Sequence, residues 1–158
     1  MKKESMEAGE YRTSNEEETF KLARRLSDNF SGAEVVLLLG ELGAGKTVFA
    51  KGLAAGLGVE DIGQVCSPSY TLLNIYEGRY LIFHFDFYRL DKPADIEDLG
   101  LEDYLDRGVV VVEWAEKLRF PLEAIRVEIL VGQGSERTIR IAFPDKVKIS
   151  SGSRTSPA

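Results

Sequence analysis

The segment Gly40-Glu41-Leu42-Gly43-Ala44-Gly45-Lys46-Thr47 restricts the folding of this chain more than any other. It carries glycines, a lysine and a hydroxyl residue at the spacing G-x-x-x-x-G-K-S/T. Ahead of it stands Val35-Val36-Leu37-Leu38-Leu39, an apolar run too short for a buried helix and flanked by Gly32 and Gly40, which predicts a strand covered on both faces. Behind it Phe49, Leu53 and Leu57 form one stripe, predicting a helix over Lys46–Leu57 that stops at Gly58. Gly40, Gly43 and Gly45 let the backbone adopt positive φ and turn its N–H groups toward one point at a helix N-terminus, an anion nest. A chance glycine turn is the bland alternative, but strand, loop and helix in that order are the context a phosphate loop requires. Glu41, Leu42, Gly43, Ala44, Gly45, Lys46 and Thr47 are therefore the predicted cradle. Lys46 is expected on the β- and γ-phosphates of a nucleotide and the Thr47 hydroxyl on Mg²⁺. No N-K-x-D guanine motif occurs in the sequence, which favours ATP.

The rest of the chain alternates helical and strand patterns. Ser14-Asn15-Glu16-Glu17 reads as a capping box from Ser14, opening a helix over Asn15–Asn29 with Phe20, Leu22, Ala23, Leu26 and Phe30 at helical spacing. Tyr70–Tyr76 and Arg79–Tyr88 are β-rich runs around Glu77-Gly78, a predicted hairpin. Side chains alternate along a strand, so Phe83, Phe85 and Phe87 fall on one face and His84, Asp86 and Tyr88 on the other. Short helices are expected over Ala94–Leu99 and Leu101–Arg107, then a central strand Val109–Val112, then a hairpin of Ile125–Val131 and Arg137–Phe143. The predicted fold is an α/β three-layer sandwich of the P-loop NTPase type, its parallel central sheet extended by antiparallel strands. Residues 1–149 are expected to form one domain, with a disordered tail over 150–158.

A P-loop enzyme needs a carboxylate near its metal, and Asp86 and Glu113 each end an apolar run. Either would also serve as a charge at the core edge; the residues alone do not divide the roles of metal ligand and water-orienting group between them. Ser67 in Ser67-Pro68-Ser69-Tyr70-Thr71 stands where P-loop proteins keep a hydroxyl sensitive to the γ-phosphate, though a plain Ser-Pro turn explains it as well. His84 is either a packed or hydrogen-bonded histidine or, sharing a face with Asp86, a catalytic group.

Twenty basic against 26 acidic residues give a net charge of −6, which disfavours independent binding of RNA or DNA. Acidic residues crowd between Asp91 and Asp106, either as a solvated face or as a docking surface for a basic protein. The sequence holds no bilayer-length apolar stretch and no apolar signal core after Met1, and its single cysteine, Cys66, suits a reducing compartment; a cytoplasmic location is expected.

Taken together, GELGAGKT, SPSYTLLNIY, HFDFYRL and VVEWAEKL resemble, in order and spacing, the TsaE (YjeE) family, the ATPase component of bacterial tRNA threonylcarbamoyladenosine synthesis. The likeness runs from about Ser14 to Phe143. It implies a role in installing threonylcarbamoyl on the adenosine beside the anticodon of tRNAs that read codons beginning with A. In that family the subunit works through a TsaD–TsaB complex and meets tRNA only indirectly. Carried over, Thr47 and Glu113 match the Mg²⁺ ligands, Asp86 the second active-site carboxylate and Lys46 the phosphate lysine. Trp114, Glu16 and Arg137 match positions around the nucleotide. Ser69 replaces the family's usual threonine and keeps its hydroxyl.

Two rival activities share the cradle. A small-molecule kinase would want an arginine-rich lid, which the sequence does not offer. A non-hydrolytic, ATP-controlled assembly switch would need only binding to order Ser67–Thr71. The resemblance favours an ATPase, weak alone and stimulated by its partner, since no arginine has a recognisable finger context.

Overall fold

The computed structural model describes residues 6–41, 43–118 and 121–144. The expected end of the domain at residue 149 and the tail 150–158 lie outside them, as does Leu42 of the predicted cradle.

One seven-stranded sheet organises the chain, built from β1 (Gly9–Thr13), β2 (Val35–Leu39), β3 (Leu73–Glu77), β4 (Leu81–Asp86), β5 (Val109–Glu113), β6 (Ile125–Val131) and β7 (Arg137–Ala142). Its order is β1-β7-β6-β2-β5-β4-β3. The pairs β6/β2, β2/β5 and β5/β4 are parallel, while β1/β7, β7/β6 and β4/β3 are antiparallel. This is the expected parallel centre with antiparallel additions.

Two clusters form the core, one on each face. Helices α1 (Glu16–Ser27) and α2 (Lys46–Gly56) carry Leu22, Ala23, Leu26, Phe49 and Leu53 onto Val36, Leu38, Val109, Val111 and Val127. On the opposite face Phe83, Phe85 and Phe87 pack with Val35, Leu37, Val110 and Val112 against Ile96 of α3 (Pro93–Asp98) and Leu101 of a 3₁₀ turn. Parallel strands must be covered on both sides, and this second layer sits over the β2-β5-β4 region only. At the antiparallel end Arg126, Glu128 and Arg140 are exposed instead, and Arg140 pairs with Glu10 at 2.9 Å and with Glu128 at 3.7 Å.

Several boundaries differ from the sequence reading, each for a local reason. The α1 cap is Asn15, not Ser14: the Asn15 side chain accepts from Glu18 N at 2.9 Å, and Glu18 accepts in return from Ser14 N at 2.7 Å. Strand β3 begins at Leu73 because Leu72 takes a left-handed φ of 71° and its N–H donates back to Pro68 O. Only Leu101–Tyr104 of the expected second short helix is helical, as a 3₁₀ turn, and Asp106 turns left-handed after it. Strand β1 was not anticipated, since Gly9-Glu10-Tyr11-Arg12-Thr13 is an edge strand with little apolar content, held by pairing to β7.

The contact between α1 and α2 is made through glycines. A Cβ at Gly52 would lie 2.3 Å from Phe20 O and 2.6 Å from the Ala23 Cβ, and one at Gly56 would lie 2.1 Å from Ser27 Oγ. Backbone therefore meets backbone there, and Ser27 Oγ donates to Leu53 O at 2.8 Å across the seam. Gly52→Ala gains about 1 kcal/mol of helix propensity. Overpacking at such a site costs roughly 1–3 kcal/mol and displaces the helices. The expected net outcome is a lower midpoint in urea unfolding than for the wild type; an equal or higher midpoint would show that the seam can open freely.

Candidate functional site

At the carboxyl ends of β2, β4 and β5 lies a cleft of about 360 Å³, lined by Glu16, Gly43–Val48, Ser67, Ser69, Asp86, Tyr88, Glu113 and Trp114. Crevices at this edge of an α/β sheet are the usual place for ligands. Nearly all the residues singled out in the sequence converge here.

The floor of the cleft is the turn from β2 into α2. Gly43 and Gly45 have φ of 83° and 111°, and a Cβ on either would meet nothing within 4 Å. The glycines are thus required by conformation and leave open space on the cleft side. Gly45 is the α2 cap residue, no side chain caps the helix, and its first turn holds no acidic residue. The leading amides therefore have the orphan donors and partial positive charge that attract an anion. Glu41 enters through its carbonyl, which accepts from Ala44 N at 3.0 Å and from Lys46 Nζ at 3.2 Å.

Lys46 is folded back along this turn. Its ammonium also donates to Gly40 O and stands 3.9 Å over the Trp114 ring. Burial pushes the amine below its ordinary value, opposed by the carboxylates of Glu116, Glu113, Asp86 and Glu41. The positive group is held over the cradle by weak carbonyl acceptors.

The two carboxylates face each other across adjacent parallel strands, Asp86 of β4 in register with Glu113 of β5. Both residues are almost fully buried, at 1% and 2% exposure. Asp86 is satisfied by three donors: the Ser67 hydroxyl, the Ser69 hydroxyl at 3.0 Å and Tyr88 N at 2.8 Å. Glu113 is not. Its Oε2 meets His84 Nε2 at 2.7 Å, but the Thr47 hydroxyl stands 3.4 Å from Oε1 and 3.5 Å from Oε2. Those separations are too long for strong hydrogen bonds.

A buried carboxylate with an under-used oxygen beside a hydroxyl suits a hard divalent cation that takes its remaining ligands from water or phosphate. An all-protein cage is a different matter: the described residues hold no group of three or more His, Cys, Asp or Glu placed to bind a metal. Thr47 and Glu113 are the residues present that fit such an ion.

Glu16, exposed at the start of α1, forms the rim. Arg137 is not among the lining residues. It lies behind the loop, donating from Nε to Ala44 O at 2.9 Å and from Nη2 to Gly43 O at 3.2 Å, so it holds the loop carbonyls away from the cleft. Three more residues contribute, of which Glu116 and Tyr76 carry no signal in the sequence. Glu116 accepts from Gly40 N at 3.0 Å and ties the loop to the turn after β5. Tyr76 touches His84 Nδ1 through its hydroxyl at 3.1 Å. Tyr88 packs against Trp114 with ring centres 5.0 Å apart. Alternation along Arg79–Tyr88 points to His84 and Tyr88, whereas Tyr76 reads as an ordinary strand aromatic until the hairpin register that pairs Asn74 with His84 brings its hydroxyl to the imidazole.

Comparisons with known proteins bear on the family. The family model described as "Threonylcarbamoyl adenosine biosynthesis protein TsaE" matches residues 13–139. The "tRNA threonylcarbamoyladenosine biosynthesis protein TsaE" of Bacillus subtilis is 38% identical over 84% of this chain and 83% of that protein. Its counterpart in Aquifex aeolicus is 38% identical over 80% of this chain and 90% of its own length. The crystal structure of YdiB from Bacillus subtilis superposes with a TM-score of 0.72 at 31% identity, covering 97% of this chain and 99% of that one. By the family match and the identity of these relatives over most of its length, the chain belongs to the TsaE family of tRNA threonylcarbamoyladenosine biosynthesis proteins.

Proposed function

We propose that this chain is the Mg²⁺-dependent, ATP-binding and ATP-hydrolysing subunit of threonylcarbamoyladenosine synthesis on tRNAs that read codons beginning with A. It acts through a TsaD–TsaB protein pair and meets tRNA only within that assembly. The observation that carries this reading is the convergence of an uncapped glycine-turn helix start, Lys46, Thr47 and two buried carboxylates on one cleft. The relatives' names support the pathway.

In this reading the amides of Gly43–Thr47 take the phosphate oxygens, and Lys46 exchanges its carbonyl acceptors for the β- and γ-phosphates. Thr47 and Glu113 would hold Mg²⁺, which would supply neutralising charge to the phosphates when bound. Asp86, held one strand away by two serine hydroxyls, is left to orient the attacking water. The Trp114 ring beside the cradle offers a flat apolar surface for the nucleoside. Asp91, Asp95, Glu97, Asp98, Glu102, Asp103 and Asp106 are all exposed and are a face for a basic protein surface. No helix of the described residues is long and apolar enough to cross a membrane. Reaction in the cytoplasm, where tRNA is modified, follows from the proposed pathway.

A hydrogen bond to a charged group is worth about 1.5–3 kcal/mol, so Lys46→Ala should weaken ATP binding by roughly ten- to a hundredfold in calorimetry. Unchanged affinity would reject the cradle. Glu113→Gln should keep nucleotide binding while phosphate release falls by about 10²-fold or more. If that variant still supports tRNA modification fully, binding alone suffices and the assembly-switch reading replaces hydrolysis; the Ser67 and Ser69 hydroxyls on Asp86 give that reading its physical basis. With TsaD–TsaB added, phosphate release should rise, by about 10³- to 10⁵-fold if the partner inserts an arginine. Equal rates with and without the pair would sink the partner claim, and transfer of label from ATP to a metabolite would indicate a kinase instead.

A further inference from the structure

Beyond the residues already placed in the cleft, a chain of buried polar contacts runs away from it beneath the sheet edge. Glu113 Oε2 meets His84 Nε2 at 2.7 Å, and His84 Nδ1 meets the Tyr76 hydroxyl at 3.1 Å. That hydroxyl in turn accepts from Cys66 N at 3.4 Å and lies 3.2 Å from Cys66 O. Cys66 immediately precedes Ser67, whose hydroxyl is on Asp86. The two carboxylates are therefore joined by a closed circuit: Glu113 through His84 and Tyr76 to Cys66, and from Ser67 back to Asp86.

We propose that His84 and Tyr76 are positioning residues that fix the Glu113 carboxylate for its cation and tie its orientation to the Cys66–Ser69 segment that holds Asp86. The inference rests on the reading of the cleft as a Mg²⁺–nucleotide site. Three observations carry it.

First, His84 is 1% exposed, in a strand whose other buried aromatics are phenylalanines. An apolar residue would pack there without the cost of burying an imidazole, so both ring nitrogens must find partners, and both do. Second, an ionised carboxylate only accepts, so His84 Nε2 carries a hydrogen and points it at Oε2. The Thr47 hydroxyl, at 3.4–3.5 Å, is too distant to fix the carboxylate by itself, so the imidazole sets which way Oε1 faces. Third, Tyr76 lies on β3 and its ring is buried at 8% exposure, so its hydroxyl is locked at the junction of strand and loop. An outer group that orients a ligand in this way typically changes metal affinity or activity by about ten- to a hundredfold when removed.

The test uses the full chain in three forms besides the wild type: Tyr76→Phe, which deletes one hydroxyl from a ring that keeps its packing, His84→Leu, and His84→Gln, whose amide keeps an N–H donor toward Glu113. Magnesium chloride is titrated into ADP-loaded protein by calorimetry, nucleotide affinity is measured separately in EDTA, and phosphate release is followed with ATP. Tyr76→Phe and His84→Leu should need about ten- to a hundredfold more Mg²⁺ for half-saturation, with nucleotide affinity in EDTA unchanged and turnover reduced. His84→Gln should recover most of the Mg²⁺ affinity lost in His84→Leu. A Tyr76→Phe protein that melts like the wild type and matches it in Mg²⁺ affinity and turnover overturns the inference alone. A wild-type protein whose nucleotide complex takes up no Mg²⁺ overturns the reading of the cleft and the inference with it.

Discussion

Two carboxylates buried side by side at the ends of parallel strands are the constraint around which this protein is arranged. Removing such charges from water costs several kcal/mol each unless donors or cations surround them. The register of β4 against β5 places Asp86 beside Glu113, and the surrounding sequence answers the cost residue by residue. Ser67, Ser69 and the Tyr88 amide satisfy Asp86; His84 satisfies half of Glu113. The Lys46 ammonium, bound to loop carbonyls, adds a positive charge that both carboxylates feel. What is left over, one oxygen of Glu113 near a threonine hydroxyl, is an unfilled electrostatic demand, and it sits where the glycine turn aims its amides.

The layering of the fold serves the same end. The three parallel pairings involve β6, β2, β5 and β4, which line up their carboxyl ends along one edge. Strands β2 and β5, central among them, lie between apolar clusters on both faces. The antiparallel β7 and β1 extend the sheet without needing a second covering layer, and Arg137 at the start of β7 uses its guanidinium to grip the outside of the glycine loop.

The centre of the fold was legible in the sequence because its signals are local and redundant. Five apolar residues, a glycine loop and an amphipathic helix identify β2, the turn and α2, and Val109–Val112 announces a second covered strand. Alternation along β4 put the phenylalanines on one face and His84 with Asp86 on the other, as found. The parts that escaped depend on strand pairing and register, which local patterns do not reveal. Strand β1 has no apolar signature and exists through pairing to β7, 130 residues away at the Arg140–Glu10 bridge. Tyr76 reads as an ordinary strand residue until the β3–β4 register sets it near His84. The family resemblance puts Arg137 around the nucleotide, whereas it grips the loop from behind, a distinction that the turn of the last hairpin decides.

The glycine seam between α1 and α2 has a mechanical consequence. With no side chains to act as compliant spacers at Gly52 and Gly56, neither helix can roll or slide without main chains colliding. Glu16 begins one of these helices and Thr47 lies in the first turn of the other, so the lip and the bed of the cleft are welded into a single stiff piece. The opposite wall, where the Ser67–Thr71 turn stands, holds no glycine seam of this kind among the described residues and is the part of the cleft left to adjust to an incoming molecule.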